Sequence, residues 1–205
     1  MENNEKYITA LVTGFGPFNN HIINASWEAV KELNELCANS KEMNGIKVIV
    51  KEIPVSYEDV TMHIPKLWEE YKPTVVLHVG VSHKAQCLTI ESCAHNNGYL
   101  KLDVCDKCPD ENNIEPKILE TKINVRKVCN IINDHSSKTK CNACISNNAG
   151  RYLCEYIYYK SLQVAPEKTL FVHVPDFDQY SSLQSARGLY DILRCIIKDM
   201  KENEH

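Results

Sequence analysis

The sequence predicts an α/β protein, a single-domain three-layer α/β/α sandwich with a mostly parallel central sheet. Three observations predict it. Strand-like and helix-like runs alternate from one end of the chain to the other, and strands separated by helices imply parallel crossovers. The runs 8–13, 75–80 and 170–174 are nearly continuous apolar stretches, the pattern of strands buried on both faces. No repeat, low-complexity linker or shift in composition divides the 205 residues, so one domain spanning 1–205 is expected.

The elements follow in order. Residues 8–13 form a buried strand ending at Gly14. Asn24 caps a helix over 25–37 that sets Trp27, Val30, Leu33 and Leu36 on one face. Residues 46–55 alternate, with Ile46, Val48 and Val50 opposite Lys47 and Lys51, which predicts an edge or half-buried strand. A helix over 58–71 presents Val60, Ile64, Leu67, Trp68 and Tyr71. Pro65 inside it predicts a kink or a later start, and Pro73 stops it. The central strand 75–80 comes next. Residues 101–117, with Pro109 and Pro116, read as an irregular loop, and 123–134 as a helix. A short strand, 143–146, leads through the turn signal Asn147-Asn148-Ala149-Gly150 into a helix opened by Tyr152-Leu153-Cys154-Glu155. The strand 170–174 and an amphipathic helix over 186–200 complete the chain.

Composition excludes several function classes. A net charge of −4 with no basic stripe argues against nucleic acid as a partner. No apolar run approaches the ~20 residues of a membrane helix. The first six residues lack the apolar core of a secretory signal. A cytoplasmic protein is therefore expected, in which the sequon Asn24-Ala25-Ser26 is idle and the ten cysteines are reduced thiols. Two Cys-x-x-Cys pairs, Cys105/Cys108 and Cys141/Cys144, are separated by more than the ~15–20 residues of a zinc ribbon. They read as packing residues and free thiols, and no metal is expected.

The chemistry-bearing residues cluster after the strands. Cys154 follows a strand and a tight turn, in the first turn of a helix whose dipole favours a thiolate. His173, at the end of a buried strand, is the matching base, and His78 on the central strand is its rival. Glu91, between Ile90 and Ser92, is a carboxylate able to reach a buried histidine. His95-Asn96-Asn97-Gly98 reads as a turn. Thr13-Gly14-Phe15-Gly16-Pro17-Phe18 lacks the third glycine of a nucleotide loop, since Asn19 stands there. Two exposed phenylalanines, Phe15 and Phe18, fit an apolar ring pocket better than a phosphate site.

Several stretches, in order, carry a resemblance. They are 12–18, Asn24-Ala25-Ser26-Trp27-Glu28-Ala29-Val30, Val79-Gly80-Val81-Ser82, 89–96, Ala149-Gly150-Arg151-Tyr152-Leu153-Cys154 and 171–175. Through them the chain resembles the pyroglutamyl-peptidase I family of cysteine omega-peptidases, above all its animal members. The resemblance implies Glu91, Cys154 and His173 as catalytic residues, and Phe15, Phe18, Tyr152 and Leu153 around the substrate. It further implies no metal or cofactor, and peptides with an N-terminal pyroglutamate as partners of a monomer or weak homo-oligomer. Three features depart from the family pattern. Asn148 replaces an aspartate, His83-Lys84 replaces a small pair, and a downstream arginine has only Lys101 as a counterpart. Two alternatives stand beside this reading: a non-catalytic pyroglutamyl-peptide binder, and a thiol-rich metal or redox protein built on the Cys-x-x-Cys pairs.

Overall fold

A computed structural model describes residues 8–18, 22–109, 115 and 117–203. The N-terminal residues 1–7, Asn19, and residues 110–114 and Pro116 of the expected loop lie outside the described residues. In chain order the elements are β1 (Ile8–Phe15), α1 (Ala25–Ala38), β2 (Ile46–Ile53), α2 (Tyr57–Tyr71), β3 (Val75–Val81), β4 (Leu88–Glu91) and β5 (Cys93–His95). They continue with β6 (Ile118–Glu120), α3 (Val125–Asp134), α4 (Ser136–Thr139), β7 (Ala143–Ser146), α5 (Leu153–Val164), β8 (Thr169–Val174) and α6 (Ser182–Asn203).

Six strands form one sheet in the order β2-β1-β3-β8-β4-β7, and β5 and β6 form a small separate ribbon. Alternation along each strand divides the core in two. Ala10, Val12, Val75, Leu77, Leu170 and Val172 face α1, α3 and α6. Leu11, Phe15, Val76 and Phe171 face α2 and α5. The expected three layers are the result, with β2 and β7 as the edge strands.

The helix with Pro65 in its interior does not start late: the proline lies within one span, Tyr57–Tyr71. Its start is fixed by Ser56, whose hydroxyl accepts from the Asp59 N–H, with Glu58 and Asp59 in the first turn. Burial of Val60, Ile64 and Leu67 outweighs the ~3 kcal/mol cost of an interior proline. The sheet is mostly parallel as expected, with one exception: β4 is antiparallel to β8, whereas β1, β3 and β8 are mutually parallel. Residues 82–87 are all that join β3 to β4, fewer than the dozen or so a parallel crossover requires.

His78 shows how the core treats a polar group. It is fully buried, with Nδ1 2.7 Å from the Thr13 hydroxyl and Nε2 2.7 Å from the Ser161 hydroxyl. Burial pushes its pKa down to about 3. Below the ordinary histidine value the unfolded chain takes up a proton that the folded chain refuses. Stability therefore falls as pH drops from ~6.5 toward 3, by at most ~1.4 kcal/mol per pH unit from this group. Urea midpoints measured between pH 7 and 4 should decline, and His78→Gln should flatten that decline.

Candidate active site

The parallel register of β3 and β8 sets Gly80 beside His173, and the antiparallel register of β4 sets Thr89 opposite His173 and Glu91 opposite Phe171. All of these residues point to the α5 face of the sheet. From one step along β4, Glu91 reaches back diagonally, and its Oε1 lies 2.8 Å from His173 Nδ1. The expectation that Glu91 sits at the same carboxyl edge as the other candidates is thus corrected. Its strand runs the other way, and the contact is made across the face of the sheet.

The first turn of α5 lies over this pair. Its N-cap, Tyr152, makes no side-chain cap, so the first N–H groups of the helix remain available as donors near Cys154. The Cys154 sulfur lies close enough to His173 to raise the pKa of the imidazole. It occupies the space that a side chain at position 80 would take: a Cβ on Gly80 would lie 2.6 Å from Sγ and 2.8 Å from Phe171 Cζ. The glycine is there to make room.

The electrostatics follow from burial. Desolvation pulls the His173 pKa down, but Cys154 and then Glu91 more than reverse it, lifting the value to about 10. His173 is therefore protonated at neutral pH. Glu91 is almost wholly buried, and its second oxygen, Oε2, has no hydrogen-bond partner among the described residues. Its charge is compensated chiefly by the imidazolium.

A cleft of about 730 Å3 opens over these groups. It is lined by the whole set expected from the sequence: Phe15, Phe18, Glu91, Tyr152, Leu153, Cys154 and His173, with Lys101, His83 and Lys84 at its edges. One expectation fails. Phe15 is not exposed but buried, at the end of β1 with its neighbours Leu11 and Thr13 on the same face. Only Phe18 is partly exposed, its ring centroid 6.4 Å from that of His83. Asn24, also in the lining, is buried. Its amide donates to the Gly16 carbonyl, and Ser26 Oγ accepts from the Phe15 N–H, so the sequon serves to pin the phenylalanine loop. The rival His78 lies deeper under α5, outside the cleft lining.

Residues 101–109 are tied down rather than loose. Asp103 accepts from the N–H groups of Tyr57, Cys105 and Lys107. Tyr152 Oη donates to the Leu102 carbonyl, and Lys101 Nζ lies 4.3 Å above the Tyr152 ring.

One group near the nucleophile was not legible beforehand. Glu155 is fully buried. It accepts from the Arg151 N–H and the His95 N–H, and Arg151 Nη1 lies 2.8 Å from both its oxygens. His95 Nδ1 is 2.8 Å from Oε1, so His95 is a strand residue and not part of a turn. The two residues before the N-cap, Gly150 and Arg151, are in left-handed conformations (φ 97° and 51°), and the grip of Glu155 on Arg151 helps hold that strained backbone. The signal was an acidic residue at the third helical position, a common device for closing a helix N-terminus. Asn148 Oδ1 accepts from the Gly150 N–H and from Arg151 Nη1, so the asparagine supplies the acceptor an aspartate would.

The profile of the pyroglutamyl peptidases matches residues 8–190. The chain belongs to the pyroglutamyl peptidase family. Among relatives, pyroglutamyl-peptidase 1 of Homo sapiens is 38% identical over 208 residues, covering 100% of this chain and 96% of that one. The Mus musculus protein of the same name is 40% identical over 204 residues, covering 98% and 92%. The fold matches a variant of pyrrolidone carboxyl peptidase from Pyrococcus furiosus, with a TM-score of 0.79 and 21% identity over 94% of this chain and 99% of that one. Pyroglutamyl peptidase I of Bacillus amyloliquefaciens gives a TM-score of 0.76 at 21% identity, over 90% of this chain and 94% of that one. Cys141 is buried while Cys105, Cys108 and Cys144 are exposed, and the described residues contain no group of three or more side chains able to hold a metal ion.

Proposed function

We propose that this chain is a cysteine peptidase that removes an N-terminal pyroglutamate from peptides, with Cys154 as nucleophile, His173 as general base and acid, and Glu91 as the carboxylate that orients the imidazole. The observation that carries the proposal is the placement of Cys154 beside His173, whose Nδ1 is 2.8 Å from Glu91 Oε1, in the lining of one cleft with Phe15 and Phe18.

The thiol proton already rests on His173, and the sulfur attacks the pyroglutamyl carbonyl carbon. N–H groups at the start of α5 stabilise the oxyanion, each worth a few kcal/mol. His173 then protonates the leaving amine as the C–N bond breaks, which leaves a thioester. A water molecule, deprotonated by His173, attacks the thioester and releases pyroglutamate and the free sulfur. Glu91 holds the Nδ1–H and offsets the imidazolium charge.

Specificity follows from the lining. The pyroglutamyl lactam is flat and uncharged, and a slot built by Phe15, Phe18, Tyr152 and Leu153 accepts it. A free amino terminus would bury an unpaired ammonium there, at a cost of several kcal/mol. The reading extends to the whole chain, 1–205, as one such domain, a monomer or weak homo-oligomer acting in the cytoplasm with no nucleic acid or membrane partner. Consistent with the last point, no helix among the described residues is long and apolar enough to cross a membrane.

The test is release of a fluorophore from its pyroglutamyl amide beside its prolyl amide. Proline lacks the ring carbonyl and would leave its donor in the pocket unpaired, so release should be slower by ~100-fold or more. Binding of the pyroglutamyl amide without release, by folded and reduced protein, would make this a binder instead. Gly80→Ala probes the geometry. By pushing the sulfur away from His173 it should lower kcat/KM by ~100-fold, with the melting temperature recorded alongside.

A further inference from the structure

Away from the catalytic line, the outer pair of strands carries a second set of thiols. Cys144 lies on the edge strand β7, and Cys87 occupies the bend just before β4. The parallel register sets Thr89 opposite Cys144, so Cys87, two residues before Thr89, lies diagonally across from Cys144. The two thiols lie close enough for Cys144 to help raise the Cys87 pKa. Thr89 Oγ1 sits 3.7 Å from Cys144 Sγ and donates to the Cys87 carbonyl at 3.4 Å, which closes the space beside the sulfurs. Cys144 is exposed and Cys87 half-buried. The nearby Cys129 is buried and engaged elsewhere, its thiol donating to the Ala143 carbonyl.

We propose that Cys87 and Cys144 are a redox-active dithiol, closed to an intramolecular disulfide by a peroxide and reopened by a thiol. The exposed Cys144 reacts first. Its sulfur attacks one peroxide oxygen and the O–O bond breaks. The departing hydroxide takes the thiol proton as water, leaving Cys144 as a sulfenic acid. The Cys87 sulfur then attacks the Cys144 sulfur, the S–O bond breaks, and hydroxide leaves with the Cys87 proton as a second water. The two thiols lose two electrons and the peroxide gains them. Burial pushes the Cys87 pKa up to about 12, which keeps this thiol from reacting first; in the second step the hydroxide leaving Cys144 takes its proton. The bend at Cys87 lies outside the strand, so the sulfurs can close to bonding distance without breaking the β4–β7 ladder. The bond would join the strand that ends in Glu91 to the strand that leads into the turn before Cys154.

The experiment uses the full chain carrying Cys154→Ala, so that the nucleophile does not compete for oxidant. Folded protein is treated with one equivalent of hydrogen peroxide and remaining thiols are alkylated. Intact mass is measured, and a non-reducing digest is mapped. The expected result is loss of two hydrogens and one cross-linked peptide pair containing Cys87 and Cys144, reversed by dithiothreitol. The cross-link should vanish in Cys87→Ser and in Cys144→Ser and persist in Cys105→Ser and Cys129→Ser. A cross-link confined to Cys105 and Cys108, a Cys129–Cys144 bond, or Cys144 oxidised to sulfinic acid with Cys87 still alkylated would each overturn the proposal.

Discussion

Cys154→Ala is expected to lower kcat for pyroglutamyl amide hydrolysis by about 10⁶-fold, close to the effect of removing the whole catalytic set. The size of this loss rests on the inability of the other thiols to take over. Cys37 and Cys195 are buried, and burial pushes their pKa values up to about 12 and about 11. Cys93 and Cys141 are buried too and shifted upward for the same reason. Cys105, Cys108 and Cys144 are exposed, but none of them lines the cleft. Only Cys154 combines a helix N-terminus, a protonated histidine and an open cleft. Cys154→Ser should be nearly as inactive as the alanine variant. A serine hydroxyl holds its proton far more tightly than a thiol, so the pairing with His173 gives little alkoxide. Burst titration of active sites, run beside steady-state rates, separates true loss from trace contamination.

Glu91→Gln is expected to cost 10²- to 10⁴-fold in kcat/KM at neutral pH while leaving the melting temperature within a few degrees. The amide fills the same space but no longer offsets the imidazolium. With one of the negative groups that raise it gone, the His173 pKa must fall below its value of about 10. The free enzyme needs His173 protonated beside the sulfur, so activity is lost as pH rises through that pKa. The alkaline limb of the pH–kcat/KM profile should therefore lie near pH 10 in the parent and move to lower pH in the variant. The two readouts part because Glu91 Oε2 has no hydrogen-bond partner among the described residues. Half of the carboxylate contributes a desolvation cost and no bond, so an amide there gives up little stability. An unchanged alkaline limb would mean that Glu91 holds the ring in place without setting its charge.

Much of this arrangement is written locally. The nearly continuous apolar runs of β1, β3 and β8 and the three-to-four-residue spacing on α1, α2 and α6 place each element without reference to the others. Cys154 is legible because strand, turn and helix follow one another within a dozen residues. What stays hidden depends on contacts between distant residues. The three-residue strands β5 and β6 owe much of their position to Glu155 gripping His95 across 60 positions. The two histidines on the α5 face look alike in sequence. They part company because β3 carries His78 under the middle of α5, against Ser161, whereas β8 carries His173 to the cleft, beside a glycine. Phe15 is buried because β1 runs past Gly14, which puts it on the same face as Leu11 and Thr13. The direction of β4 could be read from its short connection.

The order of the sheet has one more consequence. The pair β4–β7 meets the other strands only through β8, which comes last among the strands in the chain yet lies between β3 and β4. A nascent chain that has emerged only as far as α5 already exposes Cys154, but it holds no base and no joined sheet. His173 arrives on the strand that stitches the two halves together, in a pairing with Glu91 that spans 82 positions. Slow, non-local closure of this kind is costly in chain entropy. In return, the sulfur stays unarmed during synthesis, and first catalytic turnover would serve as a clock for completion of the fold.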